Sequence, residues 1–334
     1  MTTTSSAAPV TLPTAADVDK AATRLAGVAM HTPLVSSPVL DEITGGQVFL
    51  KAEMLQRTGS FKFRGAYNKL STIPQVRRTN GVVAFSSGNH AQGVAAAAAI
   101  LGIPAVIVMP RDAPSSKLAR TAALGAEIVL FDRNRDDREA IARDIAAERR
   151  AEIVPPYDDP MIIAGQGTAG REIIDDLALL GVAPETIIVN ASGGGLVAGI
   201  ALAVKAQAPE TQIFTAEPAE FDDHARSFRS GQRERNARVS GSICDALMSA
   251  TPGKLTFEIT RELSGEGVSA SDEEVLSAMA FAFRELKLVV EPGGAVALAA
   301  ILSRKIDVKG KVAVAVLSGG NADPDVFARA ITGY

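Results

Sequence analysis

The stretch that decides the fold is GVVAFSSGNHAQGVAAAAAILGIPAVIVMP, residues 81–110. It contains an apolar β-type run (81–87), an alanine-rich helical run that begins at Ala91, and a second β-type run (104–110). Runs nearly continuous in Val, Ile and Ala are typical of strands covered on both faces. A strand, a helix and a strand in this order predict a parallel β–α–β unit.

The same alternation continues on both sides of this unit. Further β-type runs lie at 47–53, 126–131, 186–192, 211–218 and 311–320, and helical runs lie at 115–124 and 136–149. We therefore predict an α/β protein with two doubly wound domains, largely parallel sheets and a cleft between the domains. A small mobile domain is predicted at 80–159 and a large domain at 1–79 and 160–334. The PPYDDP stretch (155–160) is the predicted crossing point, because Pro and Asp break helices and strands.

Composition narrows the class of protein. The 334 residues carry a net charge of −4, with 22% charged and 47% hydrophobic residues, which argues against a nucleic-acid partner because phosphate binding normally leaves a basic face. The single cysteine, Cys244, allows no internal disulfide and favours a reducing compartment, so we expect a cytoplasmic protein.

The N-terminus and the apolar runs give no sign of a membrane. The first twenty residues lack the basic start and apolar core of a secretory signal, and their Thr, Ser, Ala and Pro content predicts a short disordered lead. Apolar runs stay well below the ~20 residues that a bilayer span needs.

A lysine flanked by two phenylalanines stands in TGSFKFRG, residues 58–65. One interpretation is a helix start with Ser60 as the cap and Lys62 pointing into solvent. The other is a lysine held in an apolar wall, where desolvation lowers the amine pKa and makes the neutral, nucleophilic form accessible. Schiff-base formation with an aldehyde cofactor requires that form.

The segment SSGNHAQG, residues 86–93, joins the end of a strand to the start of a helix. Unpaired backbone N–H groups at a helix start suit a carboxylate. The side chains of Ser86, Ser87 and Asn89 add donors, although an ordinary serine-capped turn is the alternative.

The segment SGGGLVAG, residues 192–199, also joins a strand to a helix. Three successive glycines let the backbone amides surround a phosphate. A nicotinamide oxidoreductase fits the same stretch, because Gly193, Gly195 and Gly199 approximate a dinucleotide fingerprint and Glu217 follows where a ribose-binding acid would stand. A third class is a non-catalytic amino-acid sensor, which would be colourless because it binds no cofactor.

Taken together, these segments resemble the serine/threonine dehydratase and serine racemase family of fold-type II pyridoxal-phosphate enzymes. The resemblance runs from HTPL (31–34) to SGGN (318–321), and it includes MPRDAPSSK (109–117) and AGQGT (164–168). It implies a fold like that of the tryptophan synthase β subunit, with pyridoxal 5'-phosphate in the cleft.

The resemblance also implies roles for single residues. Lys62 would form the Schiff base and Phe61 would lie beside the cofactor ring. Asn89 would bind the phenolic oxygen, and Ser318 would face the pyridine nitrogen. The predicted phosphate loop is made of Ser192, Gly193, Gly194, Gly195 and Leu196. Ser87 would be a second acid/base opposite Lys62, and the predicted substrate-carboxylate turn is made of Ser86, Ser87, Asn89 and His90.

A neutral hydroxyl at Ser318 has a chemical consequence. It does not keep the pyridine nitrogen protonated as an aspartate would, so the cofactor is a weaker electron sink. Rapid loss of a β-leaving group is then favoured over transamination. We expect an ammonia-lyase that dehydrates a hydroxy amino acid to a 2-oxo acid and ammonia.

Glu217 and Asp223 resemble a divalent-cation site of the family, completed by the backbone carbonyl of Phe221. Oxygen ligands suit Mg²⁺ or Ca²⁺. A solvated acidic turn is the alternative, and His224 is interpreted as a surface residue. Cys244 is interpreted as a buried structural residue, and the departures at Asn190–Ala191 and Cys244–Ala246 are expected to alter the substrate end of the pocket.

The small amino-acid substrate is expected to be L-threonine or L-serine. The alternatives within this chemistry are 3-hydroxyaspartate dehydration and serine racemisation. The motive for hydroxyaspartate is a basic segment whose arginines could bind a second carboxylate: Arg226, Arg229, Arg233, Arg235 and Arg238. We expect a homodimer or homotetramer.

Overall fold

The computed structural model describes residues 11–113 and 115–333. The strands are β1 (Leu34–Ser36), β2 (Gln47–Ala52), β3 (Val82–Phe85), β4 (Ala105–Pro110), β5 (Glu127–Phe131), β6 (Glu152–Ile153), β7 (Thr186–Asn190), β8 (Gln212–Pro218), β9 (Glu266–Ala270) and β10 (Val312–Leu317). The α-helices are α1 (Ala15–Leu25), α2 (Pro38–Thr44), α3 (Lys62–Ser71), α4 (Asn89–Leu101), α5 (Ser115–Ala123), α6 (Arg138–Arg149), α7 (Pro160–Leu179), α8 (Gly195–Gln207), α9 (Asp223–Ser230), α10 (Lys254–Leu263), α11 (Asp272–Leu286), α12 (Pro292–Leu302) and α13 (Pro324–Thr332).

The strands form two sheets. A six-stranded sheet has the order β1-β2-β10-β7-β8-β9, and a four-stranded sheet has the order β5-β4-β3-β6. Only the pairing of β1 with β2 is antiparallel, and all other pairings are parallel. This confirms the predicted α/β class with two largely parallel sheets.

Both faces of the four-stranded sheet are covered, as its apolar runs predicted. Val82 and Ala84 pack with α4, while Val83 packs with residues of α6 on the opposite face. Successive side chains of a strand point to opposite faces, so β3 must be apolar at every position to satisfy both layers. The sheet is built from residues 82–153; the predicted boundaries at 80 and 159 and the mobility of this unit stay predictions.

The six-stranded sheet is covered in the same way. In β10, Ala313, Ala315 and Leu317 pack in a core with α11 and α12, while Val314 and Val316 pack in another core with α7 and α8. Parallel strands β2, β10, β7 and β8 end at one edge of the sheet, where loops meet the starts of helices. Ligand sites of open α/β sheets lie at such an edge.

The prediction of a disordered lead was wrong for residues 15–20. They belong to α1, which begins with a capping box in which Asp17 accepts hydrogen bonds from the N–H (3.0 Å) and hydroxyl (2.9 Å) of Thr14. Val18, Ala21 and Leu25 are buried, and this spacing forms one apolar helix face that packs on the protein. Residues 1–10 of the predicted lead lie outside the described residues.

Other predicted elements lie close to their observed positions. Helix α4 begins at Asn89 rather than Ala91, and the short strands β1, β6 and β9 were not predicted. These strands are edge or near-edge segments of two to five residues, too short to show an apolar pattern. Among the helices of the described part of the chain, none is long and apolar enough to cross a membrane.

Candidate functional site

Lys62 is the first residue of α3 and is anchored to the end of β10. The N–H of Phe61 donates to the Ser318 carbonyl at 3.2 Å, and Ser60 forms a β-bridge with Gly319. The hydroxyl of Ser60 is buried and has no hydrogen-bond partner, so it does not cap α3. The structure therefore does not support the interpretation of this segment as a helix start capped by Ser60, with Lys62 pointing into solvent.

Lys62 is half-buried, and its amine lies between a backbone carbonyl and an aromatic ring. Its Nζ donates to the Pro156 carbonyl at 2.7 Å and lies 5.1 Å from the centroid of the Phe61 ring. Burial lowers the pKa of Lys62 to about 8, against the opposing effect of the nearby Glu291 carboxylate. A substantial fraction of the amine is therefore neutral near physiological pH, as covalent chemistry on an aldehyde requires.

The glycine loop follows β7 and opens α8. Gly194 has a φ of +91°, which favours glycine, and the first N–H groups of α8 have no intrahelical partner. A Cβ on Gly193 would lie 2.2 Å from the ring of Tyr157, so the aromatic ring packs directly on the loop backbone. The loop therefore forms a cradle of free amides covered by a phenol ring.

A side-chain amide without hydrogen-bond partners lies beside the glycine loop. Gln166 of α7 is buried, and both its Oε1 and its Nε2 have no hydrogen-bond partner. A Cβ on Gly195 would lie 2.7 Å from Gln166 Oε1, so this amide is adjacent to the start of α8. Buried polar groups normally have partners. An unpaired amide beside free backbone N–H groups fits a bound phosphorylated cofactor.

Ser318 lies at the end of β10 and is oriented by Asn190. The amide Nδ2 of Asn190 lies 3.0 Å from Ser318 Oγ and 2.8 Å from the Val316 carbonyl, and its Oδ1 accepts from the N–H of Ala297 at 2.7 Å. The Gly294 carbonyl also accepts from Nδ2 at 2.9 Å, so two amide hydrogens are shared among three acceptors. Ser318 Oγ can only accept from this amide, and its own proton is available for an acceptor such as a pyridine nitrogen. Asn190 thus lies beside Ser318, and its expected effect on the substrate end of the pocket stays a prediction.

The turn from Ser86 to His90 lies opposite, at the end of β3. Ser86 Oγ accepts from the N–H of Gly88 at 3.3 Å, and Ser87 is half-buried. The ring of His90 forms a hydrogen bond of 2.9 Å with the carbonyl of Val154, directly after β6 of the four-stranded sheet. Burial lowers the pKa of His90 to about 3, so the imidazole is neutral. The predicted carboxylate turn would therefore use the backbone N–H of His90 rather than its ring.

Asn89 is held by two polar partners from the larger unit. Its Nδ2 donates to Glu291 Oε1 at 2.6 Å, and its Oδ1 accepts from Asn321 at 2.8 Å. The predicted role of Asn89 at the phenolic oxygen stays a prediction. These contacts tie the start of α4, in the smaller unit, to the starts of α12 and α13.

Glu291 is a site residue that sequence reasoning missed. It is buried directly before α12, and burial together with the neighbouring Asp245 raises its carboxyl pKa to about 7. In the sequence it reads as an acid at a helix start, in EPGG, which is an ordinary position for a glutamate. Sequence reasoning also missed Pro156, Tyr157 and Gln166. The motif PPYDDP was interpreted only as a domain crossing, and AGQGT only as a part of the family resemblance.

A buried ion network supports α3 from behind. Arg64 donates to both oxygens of Glu53, each at 2.8 Å, and to both oxygens of Glu172. Lys51 adds a bond of 2.6 Å to Glu172, and Glu53 accepts from the hydroxyl of Thr32 at 2.5 Å. The network joins β2, α3 and α7 two residues away from Lys62, and so fixes the position of that helix start.

The predicted cation site forms an acidic cluster, with one addition. Single ligand atoms of Glu217, Asp223 and His224 all lie within 4.8 Å of one another. Glu217 and Asp223 are fully buried, and burial and mutual repulsion raise the pKa of Glu217 well above its usual range. Asp223 Oδ2 has no hydrogen-bond partner. Two buried carboxylates with a free oxygen fit a divalent cation.

Two further interpretations are corrected at this cluster. His224 is fully buried and is not a surface residue. Glu217 is fully buried and accepts the N–H groups of His224 (2.8 Å) and Ala225 (3.0 Å) at the start of α9, so a ribose cannot reach it as the oxidoreductase hypothesis required. Phe221, the third predicted ligand residue, is buried in the same turn.

Four of the five arginines in the basic segment that follows the cluster are bound by neighbouring groups. Arg226 binds Asp222, Arg233 donates to the Pro252 carbonyl, and Arg238 binds Glu220. Arg229 also pairs with Asp222. The fifth arginine, Arg235, is exposed, and 3-hydroxyaspartate stays an alternative substrate.

Cys244 is a free, fully buried cysteine, which confirms its structural interpretation. Burial raises the pKa of its thiol to about 12, so the thiolate is not formed at physiological pH.

A family model described as pyridoxal-phosphate dependent enzyme matches residues 27–319. The chain is 43% identical over 317 residues to an L-threo-3-hydroxyaspartate ammonia-lyase from Pseudomonas sp., a match that covers 95% of this chain and 98% of the relative. It is also 43% identical to an L-threonine ammonia-lyase from Thermotoga maritima, covering 94% of this chain and 77% of the relative.

Similar solved structures agree with these sequence matches. The structure of maize serine racemase superposes with a TM-score of 0.90 at 34% identity, covering 97% of this chain and 98% of that chain.

Proposed function

The chain belongs to the family of pyridoxal-phosphate-dependent enzymes, and from this membership we propose that its substrate is L-threonine or L-serine. It is an enzyme of the ammonia-lyase type that uses pyridoxal phosphate for β-elimination from hydroxy amino acids. The observation that carries the substrate proposal is the buried acid Glu291, which bonds Asn89 at the start of α4 and lies near Lys62, and which disfavours a substrate with a second carboxylate.

The residues of this chain divide the work of the reaction. When bound, pyridoxal phosphate withdraws electrons from the substrate Cα and makes its proton removable. The neutral amine of Lys62 would hold the cofactor, and the same amine would take that proton. The glycine loop and Gln166 would bind the phosphate. Ser318, which contacts the amide of Asn190, would offer its hydroxyl proton to the pyridine nitrogen.

The smaller unit supplies the substrate side. The backbone N–H groups at the start of α4 and the hydroxyls of Ser86 and Ser87 would bind the α-carboxylate, and we propose Ser87 as the second acid/base, on the cofactor face opposite Lys62. Loss of the β-hydroxyl as water gives an enamine that hydrolyses to a 2-oxo acid and ammonia. Tyr157 covers the loop and helps to keep bulk water out.

The experiment is a steady-state comparison of kcat/KM for L-threonine, L-serine and both diastereomers of 3-hydroxyaspartate, following 2-oxo acid release. We expect threonine or serine to be preferred. A preference for hydroxyaspartate above about tenfold, or roughly 1.4 kcal/mol of transition-state discrimination, would refute this choice. Racemised serine without a keto acid would refute dehydration as the main activity.

A second candidate is L-threo-3-hydroxyaspartate, which two relatives at 43% and 40% identity act on according to their names. The observation that favours it is Arg138, whose guanidinium lies 5.7 Å from the centroid of Phe85, directly before Ser86. An arginine there could bind a second carboxylate. Arg138→Ala should then lower kcat/KM for hydroxyaspartate at least about tenfold and leave threonine unaffected.

The cell compartment and assembly are part of this proposal. The acidic overall charge and the single buried cysteine support a cytoplasmic enzyme. A homodimer or homotetramer is proposed, and size-exclusion chromatography with light scattering tests it; a monomer at micromolar concentration would contradict it.

A further inference from the structure

A buried imidazole lies between the acidic cluster and the glycine loop. His224 is the second residue of α9 and is fully buried. Its Nε2 lies 2.7 Å from the Ser192 carbonyl, while its Nδ1 is buried without a partner. A carbonyl oxygen can only accept a hydrogen bond. Nε2 must therefore carry the ring proton and donate a hydrogen bond to the Ser192 carbonyl.

The imidazole also packs against the loop. A Cβ on Gly194 would lie 2.8 Å from His224 Cε1, so the ring occupies the space that a side chain would take there. On its other side, Ser192 donates from its hydroxyl to Ser249 Oγ at 2.7 Å. The first residue of the loop is therefore held by two side chains, and His224 is the one that comes from the acidic cluster.

On the cation side, the start of α9 is bound to Glu217 through the N–H groups of His224 and Ala225. Asp223 binds Asn236 through Oδ1 at 2.6 Å and leaves Oδ2 free. A cation bound by both carboxylates would fix Asp223, which precedes His224 in the chain. It would also fix Glu217, which accepts the N–H of His224. The position of the imidazole thus depends on the cluster.

We propose that His224 is a positioning residue that couples cation binding at Glu217 and Asp223 to cofactor-phosphate binding at the glycine loop. This inference rests on the proposed function, since it takes the loop as the phosphate site. Coupling between two sites is reciprocal: the factor by which the cation tightens cofactor binding equals the factor by which the cofactor tightens cation binding. Couplings of this kind are commonly about fivefold or more.

The first measurement uses the holoenzyme. Cofactor loss on serial dilution is followed by its visible absorption in MgCl₂, in CaCl₂ and in EDTA, which gives an apparent cofactor Kd for each condition. We expect a Kd about fivefold or more higher in EDTA. Calorimetric titration of MgCl₂ and CaCl₂ into holoenzyme and into cofactor-free protein should give the same ratio for the cation.

Variants then assign the coupling to the imidazole. His224→Phe keeps a ring of similar size but cannot donate to the Ser192 carbonyl. The cation should still bind through the carboxylates of Glu217 and Asp223, while both ratios fall to near one. His224→Gln can still donate to the Ser192 carbonyl and should keep part of the coupling. His31→Phe is the matched control, because His31 is exposed and binds Asp176 at a distance from the loop. Asp223→Asn should give the EDTA value of the cofactor Kd under all conditions.

Equal cofactor Kd values in EDTA and in both salts for the unmodified enzyme would overturn the proposal, and so would an unchanged ratio in His224→Phe. If His224→Phe does not fold, His224→Asn replaces it, because its amide is one carbon shorter than that of His224→Gln and should not reach Ser192. The β-elimination assay of the unmodified enzyme is read separately. Turnover without coupling overturns this inference alone, whereas coupling without turnover overturns the proposed function alone.

Discussion

The environment of Lys62 differs from that of a surface lysine and suits the covalent anchoring and proton transfer that we propose for it. Its amine is bound by a single carbonyl, that of Pro156, and is flanked by the Phe61 ring. Neither group can neutralise a positive charge, so burial lowers the pKa to about 8 even though Glu291 opposes the shift.

Lys62→Ala should abolish both turnover and the visible absorption of the bound cofactor, because no other amine takes its place at the start of α3. The far-ultraviolet circular dichroism spectrum should stay unchanged. Lys20→Ala, which alters an exposed lysine paired with Asp17, is the control and should keep full activity. A Lys62→Ala variant that kept its visible band and activity would show that another lysine is the anchor.

Glu291 predicts a pH dependence of stability. Its folded-state pKa of about 7 is above its unfolded value, so the folded state binds more protons between pH 4.5 and 7. Stability must therefore fall as the pH rises through this window. Urea unfolding of the cofactor-free protein measures the free energy of unfolding at pH 5 and at pH 7. The decrease of this free energy from pH 5 to pH 7 should be about 2 kcal/mol larger for the unmodified protein than for Glu291→Gln. Equal losses in the two proteins would contradict the raised pKa.

At the scale of elements, the glycine loop and the PPYDDP segment depend on each other. The ring of Tyr157 occupies the space beside Gly193, and Gly193 in turn accepts a hydrogen bond from the hydroxyl of Thr256 at 2.6 Å. A side chain at Gly193 would have to displace an aromatic ring rather than a flexible chain.

Gly193→Ala should therefore weaken cofactor binding about tenfold, since overpacking costs 1–3 kcal/mol. Fluorescence titration of the cofactor measures this. The double variant Gly193→Ala/Tyr157→Leu should recover part of the affinity, because removing the ring gives space to the new methyl group. If the double variant bound as weakly as Gly193→Ala alone, the ring contact would not be the cause.

The Arg64 network makes a second prediction for elements. Arg64→Leu leaves Glu53 and Glu172 without their main partner, and breaking a buried ion pair in this way costs about 3–5 kcal/mol. Urea unfolding should show this loss. Arg171→Leu is the control: it breaks exposed pairs with Asp175 and Asp19 and should cost less than about 1 kcal/mol. Similar losses for both variants would show that burial is not decisive.

At the scale of the whole molecule, cation binding should change thermal stability. An ion that binds only the folded state raises its stability, by about 2.7 kcal/mol at one hundred times the Kd. EDTA should therefore lower the Tm measured by differential scanning fluorimetry, and Asp223→Ala should remove that sensitivity. A Tm that is indifferent to EDTA would mean that the cluster is an acidic turn without an ion.

The fold could be predicted because its signal is local. In β3 and β4 both faces are buried, so nearly every residue is apolar and the strands are visible in the sequence. In β1, β6 and β9 the signal is missing, because edge strands of a few residues are fixed by pairing with distant partners such as Lys51 of β2.

The site could be predicted only where a motif carries it. Lys62 and the glycine loop have unusual local sequences, whereas Glu291 and His224 stand in ordinary ones. Glu291 gains its raised pKa from Asp245 and from burial by segments far along the chain. His224 gains its role from a carbonyl 32 residues away. Such properties arise from tertiary contacts, so a sequence pattern cannot show them.

The PPYDDP segment limits how this enzyme could be divided or permuted by protein engineering. Pro156 binds Lys62, Tyr157 covers Gly193, and Asp158 accepts the first N–H groups of α10 at 2.8–3.3 Å. Asp159 accepts two N–H groups of α7 and binds Lys69. New chain ends succeed where backbone is exposed and free of long-range bonds, so cutting at the boundary between the two sheets would detach the wall of the site. The exposed turn before α6, at residues 133–136, is the better place for new ends, because among the described residues its backbone N–H groups bond only Asp132 within the turn.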